Sequence, residues 1–104
     1  MSPPRLTVDR VVIEETVRLA AMEVPGVCRV GRGGPGWRRW LAGPAVAIVR
    51  TDGAVRVDVA IVARPGQPLG ALAEAVRVTV AAAIERLLGL ELGIVNVLVD
   101  SVGA

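Results

Sequence analysis

The sequence predicts an α+β fold, a two-layer sandwich in which a small β-sheet containing a hairpin has two helices covering one face. Three observations predict it. Apolar residues recur with helical spacing over residues 9–23 and again over 69–87. Two runs of Val, Ile and Ala flank Asp52-Gly53, and a last apolar stretch over 93–102 reads as a strand. The order is helix, short strand, hairpin, helix, strand, and helices and strands in that mixture bury their apolar sides only by layering. With 104 residues, the chain reads as a single domain over 1–104 with one core.

That core must be aliphatic. There is no Phe and no Tyr, and the two aromatics are Trp37 and Trp40. Residues 1–7 carry Ser-Pro-Pro and read as a flexible lead-in. From Asp9 to Glu23, Val12, Ile13, Thr16, Val17, Leu19 and Ala20 fall on one broad face, with Arg10, Glu14, Glu15 and Arg18 opposite. The spacing predicts i,i+4 ion pairs between Arg10 and Glu14 and between Glu14 and Arg18. Asp9 or Thr7 can cap the start, and Val24-Pro25-Gly26 ends the helix because a residue before proline avoids helical angles.

Residues 27–30 form a short strand, in which Cys28 reads as a small core residue. A flexible Gly/Arg/Trp loop over 31–44 follows. In the hairpin's second run, Val55, Val57, Val59, Ile61 and Ala63 point to one side. Arg56, Asp58, Ala60, Val62 and Arg64 point to the other. In the second helix, Leu69, Leu72, Val76, Val80, Ala83, Ile84 and Leu87 trace one stripe, and Gly89 stands where a terminal glycine belongs. The sheet face away from the helices would carry Arg56, Asp58, Asn96 and Asp100 among Ala60, Val62, Ile94 and Leu98. That is a semi-apolar surface fit for a partner or for self-association, with Arg56, Asp58, Val62, Asn96 and Leu98 as its candidate contacts.

Residues 31–36, Gly-Arg-Gly-Gly-Pro-Gly, match the glycine spacing of a dinucleotide-binding turn. Such a turn needs a helix opening at its third glycine and an acid at the end of the next strand. Here Gly43-Pro44 stops any helix begun at Gly36, and the first acid beyond, Asp52, belongs to the hairpin turn. The match is to a loop. The same loop holds the chain's best contact candidates, Arg32, Trp37, Arg38, Arg39 and Trp40. Wound into a turn or two of helix, the tryptophans would share a face flanked by arginines. That pairing suits an anionic membrane surface and equally a single-stranded nucleic acid. A third reading has the tryptophans folded back onto the core.

The net charge of +2 names no partner by itself, although no acid interrupts residues 24–51, where Arg29, Arg32, Arg38, Arg39 and Arg50 fall. No His is present and Cys28 is alone, so neither an imidazole base, a disulfide nor a Cys/His metal centre is expected. The carboxylates follow polar faces and do not converge. We expect no enzyme activity, no catalytic residue, no cofactor, no metal and no small-molecule substrate. No bilayer-length apolar run and no signal peptide are recognisable, which reads as a cytoplasmic protein.

Two stretches carry a family resemblance. Residues 12–27, with Glu23-Val24-Pro25-Gly26-Val27, and residues 87–102, with Gly89-Leu90-Glu91 and Val95-Asn96-Val97, resemble the alkaline-shock, Gls-type envelope stress response family. Hairpin and second helix follow in that family's order. The resemblance implies a non-enzymatic cytoplasmic protein of cell-envelope homeostasis, self-associating and held near the inner face of the membrane through a membrane-anchored partner protein. Glu23, Pro25, Gly26, Gly89 and Asn96 then carry structural duties: the glycines release the chain from its helices, and Asn96 tethers a neighbouring loop or strand. Arg64-Pro65-Gly66 departs from the Tyr-Gly common in that family, as does Ala45-Val46 from its Gly-Val. The alternative function is a small nucleic-acid-binding module built on the Arg/Trp loop.

Overall fold

The structure is a computed structural model, and it describes residues 10–31, 43–51, 54–89 and 92–100. The elements are α1 (Arg10–Glu23), β1 (Val27–Val30), β2 (Val46–Thr51), β3 (Ala54–Ala63), α2 (Leu69–Ala83) continued by a π-helical turn (Ile84–Leu88), and β4 (Leu92–Asp100). The sequence order and the two-layer α+β arrangement are those expected from the periodicities.

β3 is the hub of the sheet. β2 runs antiparallel to it, pairing Val46 with Val59 through Thr51 with Ala54, so two residues separate the paired strands. β1 pairs antiparallel with the far end of the same β3 edge, Val30 opposite Ile61 and Val27 opposite Ala63. The two strands abut at Ala60, whose carbonyl accepts from the Gly31 N–H (2.9 Å) and whose N–H donates to the Ala45 carbonyl (2.8 Å). β1 and β2 therefore act as one long strand, and the segment between Gly31 and Ala45 is an insertion at its midpoint. β4 takes the other edge of β3 and runs parallel to it, Arg56 opposite Ile94 through Val62 opposite Asp100. The parallel direction follows from the α2 crossover, since a parallel neighbour requires a connection long enough to return the chain to the same end.

Both helices lie on one face, α1 over β1 and β2, α2 over β4, and they touch each other. Val55, Val57, Val59, Ile61 and Ala63 meet Ile13, Val17, Ala20 and Ala21 of α1 and Leu72, Val76, Val80, Ala83 and Ile84 of α2 and its last turn in one cluster. Each fully buried Val or Ile contributes about 1.5–3 kcal/mol, and the strict alternation along β3 is what gathers them on one side.

Five expectations need correction. The buried stripe of α1 is narrower than the sequence suggests: Val12 is 47% and Leu19 58% exposed, while Ala21 and Val24 are buried. An α1 that crosses the sheet beside a second helix buries only the residues wedged between them. The i,i+4 ion pairs are replaced: Arg18 pairs with Glu15 at 4.0 Å and Arg10 donates to the Ile48 carbonyl at 3.3 Å. Cys28 is exposed, because alternation after the buried Val27 points it outward, and the register slip between Val27 and Arg29 then returns Val30 to the core side. On α2, Leu69 and Leu87 are exposed. The π turn inserts a residue, which rotates Leu87 to solvent and packs Leu88 against the core instead. Last, Gly31, the first glycine of the Gly-rich loop, belongs to the sheet edge: its N–H is spent on Ala60.

Candidate interaction face

The helix-free face of the sheet is built by the residues that alternate with the core row. On β3 these are Arg56, Asp58, Ala60 and Val62, and register sets Ile94, Asn96 and Leu98 of β4 beside them and Ala47 and Val49 of β2 on the other flank. A second bulge makes this alignment: Leu92 faces Val55 and Ile94 faces Arg56, so Gly93 is the extra residue. Without it, Ile94 and Leu98 would fall on the helix side and Val95 outside.

Arg56, Asp58, Asn96 and Leu98 thus share one surface. Asn96 Nδ2 donates to Asp58 Oδ1 at 2.8 Å, and Arg56 Nε lies 3.5 Å from the same oxygen. The Asp58 carboxylate, on the central strand, is the point on which the strand pair β3–β4 is tied across the face. Solvent reaches both charged partners, so the ion pair adds at most about 1 kcal/mol; its effect is to orient the three side chains. Val62 stands in the same row but is 3% exposed, as Ala60 is at 2%. Val62 offers no free contact surface, contrary to its place among the candidate contacts. The apolar contacts available are Ile94 (56% exposed), Leu98 (49%) and Val49 (48%). Val49 was missed in the sequence reading, although alternation with Val46 and Ile48 along β2 places it outward. On this face a groove of ≈430 Å³ opens, with Ala47, Asp58, Ala60, Asn96 and Leu98 in its lining and Pro44 and Ala45 at one end.

The loop candidates Arg32, Trp37, Arg38, Arg39 and Trp40 lie outside the described residues. Of the motif residues, Glu23 ends α1, Pro25 and Gly26 make the turn into β1, and Gly89 caps the π turn with φ 63° and an N–H donated to the Glu85 carbonyl (3.2 Å). Gly26 has φ 98°, and its carbonyl accepts from Arg64 N–H, fastening that turn to the end of β3.

Arg77 binds the Glu74 carboxylate through two nitrogens, one N–O distance being 2.9 Å. The hydrogen bonds from Arg77 hold the Glu74 carboxyl below its usual range, and the same bonds push the guanidinium up. A depressed carboxylate supports the fold above its unfolded pKa and loses that support as pH falls through the folded value. Because this pair is fully exposed, acidification to that point is expected to leave the melting transition of the Glu74→Gln variant and of the parent superimposed. Among the described residues no three Cys, Asp or Glu side chains converge, and no helix is long and apolar enough to cross a membrane.

Solved structures show the same architecture. The chain aligns with the MamM CTD in a manganese form at TM-score 0.65 and 19% identity, covering 89% of this chain and 99% of that one. A copper form of the MamM CTD aligns at TM-score 0.65 and 18% identity over 88% and 85%, and a further MamM CTD structure at 0.66 and 18% over 89% and 99%. At such identities the likeness is one of fold. The metals belong to those proteins; this chain has no histidine and gathers no such donor set among its described residues. No curated protein matches the chain. The family model of the alkaline shock protein 23 family, described as having a cell envelope-related function, matches residues 3–104. With motif glycines, hairpin and closing strand all in place across that span, the chain belongs to the alkaline shock protein 23 family.

Proposed function

We propose that this protein is a non-enzymatic scaffold of the cell envelope, self-associating in the cytoplasm and held at the inner face of the membrane. The observation that carries this reading is the outer sheet face. Ile94, Leu98 and Val49 lie exposed around an ordered Arg56–Asp58–Asn96 cluster, a mixed surface of the kind that protein contacts cover. A second copy is the occupant that a self-associating protein supplies. The envelope-related family supports the setting, and the absence of a spanning helix among the described residues is compatible with surface attachment. Attachment falls to Trp37 and Trp40 with Arg32, Arg38 and Arg39, which meet an anionic lipid surface or a membrane-anchored protein.

The chain supplies its own probe, because its two tryptophans both lie in that segment. Titration with vesicles containing anionic lipid is expected to shift their emission to the blue, and the shift should fall steeply with added salt. Emission that is blue from the start and indifferent to vesicles would end the attachment reading. Quenching by single-stranded RNA, with vesicles inert, would move the assignment to a nucleic-acid-binding module.

A further inference from the structure

We infer that two copies of this chain join edge to edge through β4, antiparallel and with the two-fold axis at Asn96. This rests on the self-association proposed above and specifies where and in which register it occurs. β4 pairs with β3 on one side, and no strand among the described residues pairs with its other side. Sheet edges present a row of backbone N–H and C=O groups that need partners, and soluble proteins protect them with short length, proline or charge. β4 uses none of these between Ile94 and Val99, and the bulge at Gly93, another such device, lies near its start. It has nine residues, no proline, and its single charge is Asp100 at the very end.

What selects a second copy over any other strand is the order of residues. Ile94-Val95-Asn96-Val97-Leu98 reads nearly the same in both directions. Antiparallel pairing centred on Asn96 sets Ile94 of each copy against Leu98 of the other, on the outer face where both are half exposed. The same register sets Val95 against Val97 on the helix side, continuing each core into the next. The two pairs on either side of the centre are aliphatic on aliphatic, Gly93 falls opposite Val99 and Leu92 opposite Asp100 at the ends, and each pair occurs twice as in an isologous interface. A slip of one residue would oppose outward to inward side chains, and a slip of two would set Asn96 against Ile94 or Leu98. Asn96 therefore fixes the register. One amide N–H is spent on Asp58 Oδ1, leaving its carbonyl oxygen and second N–H to meet those of the other Asn96. With the axis perpendicular to the sheet, both helix layers stay on one side and the two outer faces merge.

The test compares the native chain with three variants by sedimentation equilibrium, each checked for native circular dichroism. The double variant Ile94→Glu/Leu98→Glu places like charges opposite each other in this register and is expected to be monomeric at concentrations where the parent is dimeric, its dissociation constant raised at least tenfold. Ile94→Arg/Leu98→Glu places opposite charges there and is expected to remain dimeric. Asn96→Cys in a Cys28→Ser background is expected to form a disulfide-linked dimer under mild oxidation, since directly opposed residues of antiparallel strands have Cα atoms about 4.5–5.5 Å apart, within disulfide reach. A native chain that is monomeric at all concentrations overturns the self-association reading and this inference together. A native dimer that persists in the Glu/Glu variant, or one in which Asn96→Cys gives no cross-link, overturns the edge register alone. Should the Glu/Glu chain fail to fold, the cross-link decides.

Discussion

Ile61→Ala is expected to cost about 2–5 kcal/mol of folding stability, towards the upper end of that range. Ile61 is 0% exposed on the central strand, with Val30 of β1 and Val99 of β4 in register on its two sides. Its neighbours in the core are Val, Ala, Leu and Ile. Short, branched side chains in a close-packed interior have few rotamers with which to fill a void, so the cavity stays open. No Phe or Tyr exists to lean in, and Met22, the sort of flexible side chain that fills gaps, is exposed. For a domain of this size each kcal/mol lowers the melting temperature by about 4–8 °C, so a drop of roughly 10–30 °C is expected in a thermal melt. Leu87→Ala, at a residue 66% exposed, is the matched control and should move the transition by less than about 0.5 kcal/mol. Equal shifts in the two variants would mean that the helix–sheet core is not the source of stability.

The comparison of Ile61 with Leu87 marks how far periodicity carries. Along β3 the side-chain period of two is enforced by pairing on both edges, so Val55 through Ala63 sort between the faces as the sequence alone predicts. On α2 the period of 3.6 holds only to Ala83. One inserted residue in the π turn then exchanges Leu87 for Leu88, and no residue type in that stretch announces it. Gly93 is the same problem in a strand: a bulge shifts the count by one. Gly93 could have raised suspicion, since glycine in a strand marks such places, and the outward Cys28 follows from alternation with the buried Val27. The outer face itself was legible, because Arg56, Asp58, Asn96 and Leu98 follow from alternation once the strands are known. The burial of Val62 was not, since alternation assigns a side and says nothing about what lies above it. The parallel direction of β4 was legible in principle from the length of the α2 crossover.

The layout also separates the two contacts that the proposed scaffold needs. The Arg/Trp segment is inserted where β1 and β2 abut on one edge of β3, and β4 holds the opposite edge. Copies joined at β4 would carry Gly31 and Ala45, the two ends of that segment, on the sheet edges away from the pairing seam. On the proposed attachment, a single segment of two tryptophans and three arginines would bind a surface weakly and reversibly, as one-signal anchors do. Two on one rigid sheet gain by effective concentration, which can strengthen attachment by about 10²–10⁴ without a new contact. Vesicle binding of the Asn96→Cys chain in the Cys28→Ser background should therefore be stronger when it is oxidised to the cross-linked dimer than when it is reduced, at unchanged net charge per chain.

Gly26→Ala is expected to destabilise the protein by about 1–3 kcal/mol, and the reason decides which second substitutions help. Two penalties coincide at this buried residue. Its φ of 98° is a conformation that L side chains rarely adopt, and an added Cβ would sit 2.5 Å from Gln67 Oε1. The clash is the smaller penalty, because the atom met is the far end of a flexible side chain that can swing aside. The backbone cannot: the Gly26 carbonyl is bonded to the Arg64 N–H, and Val24 and Val27 on either side are buried. Adding Gln67→Ala to Gly26→Ala should consequently recover no more than about 0.5 kcal/mol in a double-mutant cycle. Asn should not rescue position 26 either, since 98° lies well beyond the left-handed well near +57° that Asn tolerates. Gly89 provides the contrast. Its φ of 63° falls inside that well and nothing lies within 4 Å of an added Cβ. Gly89→Ala should cost about 1 kcal/mol and Gly89→Asn less. If Gln67→Ala instead restored most of the loss at position 26, the turn into β1 would be limited by side-chain packing and not by its backbone. The Pro25-Gly26 step would then be replaceable by any small residue.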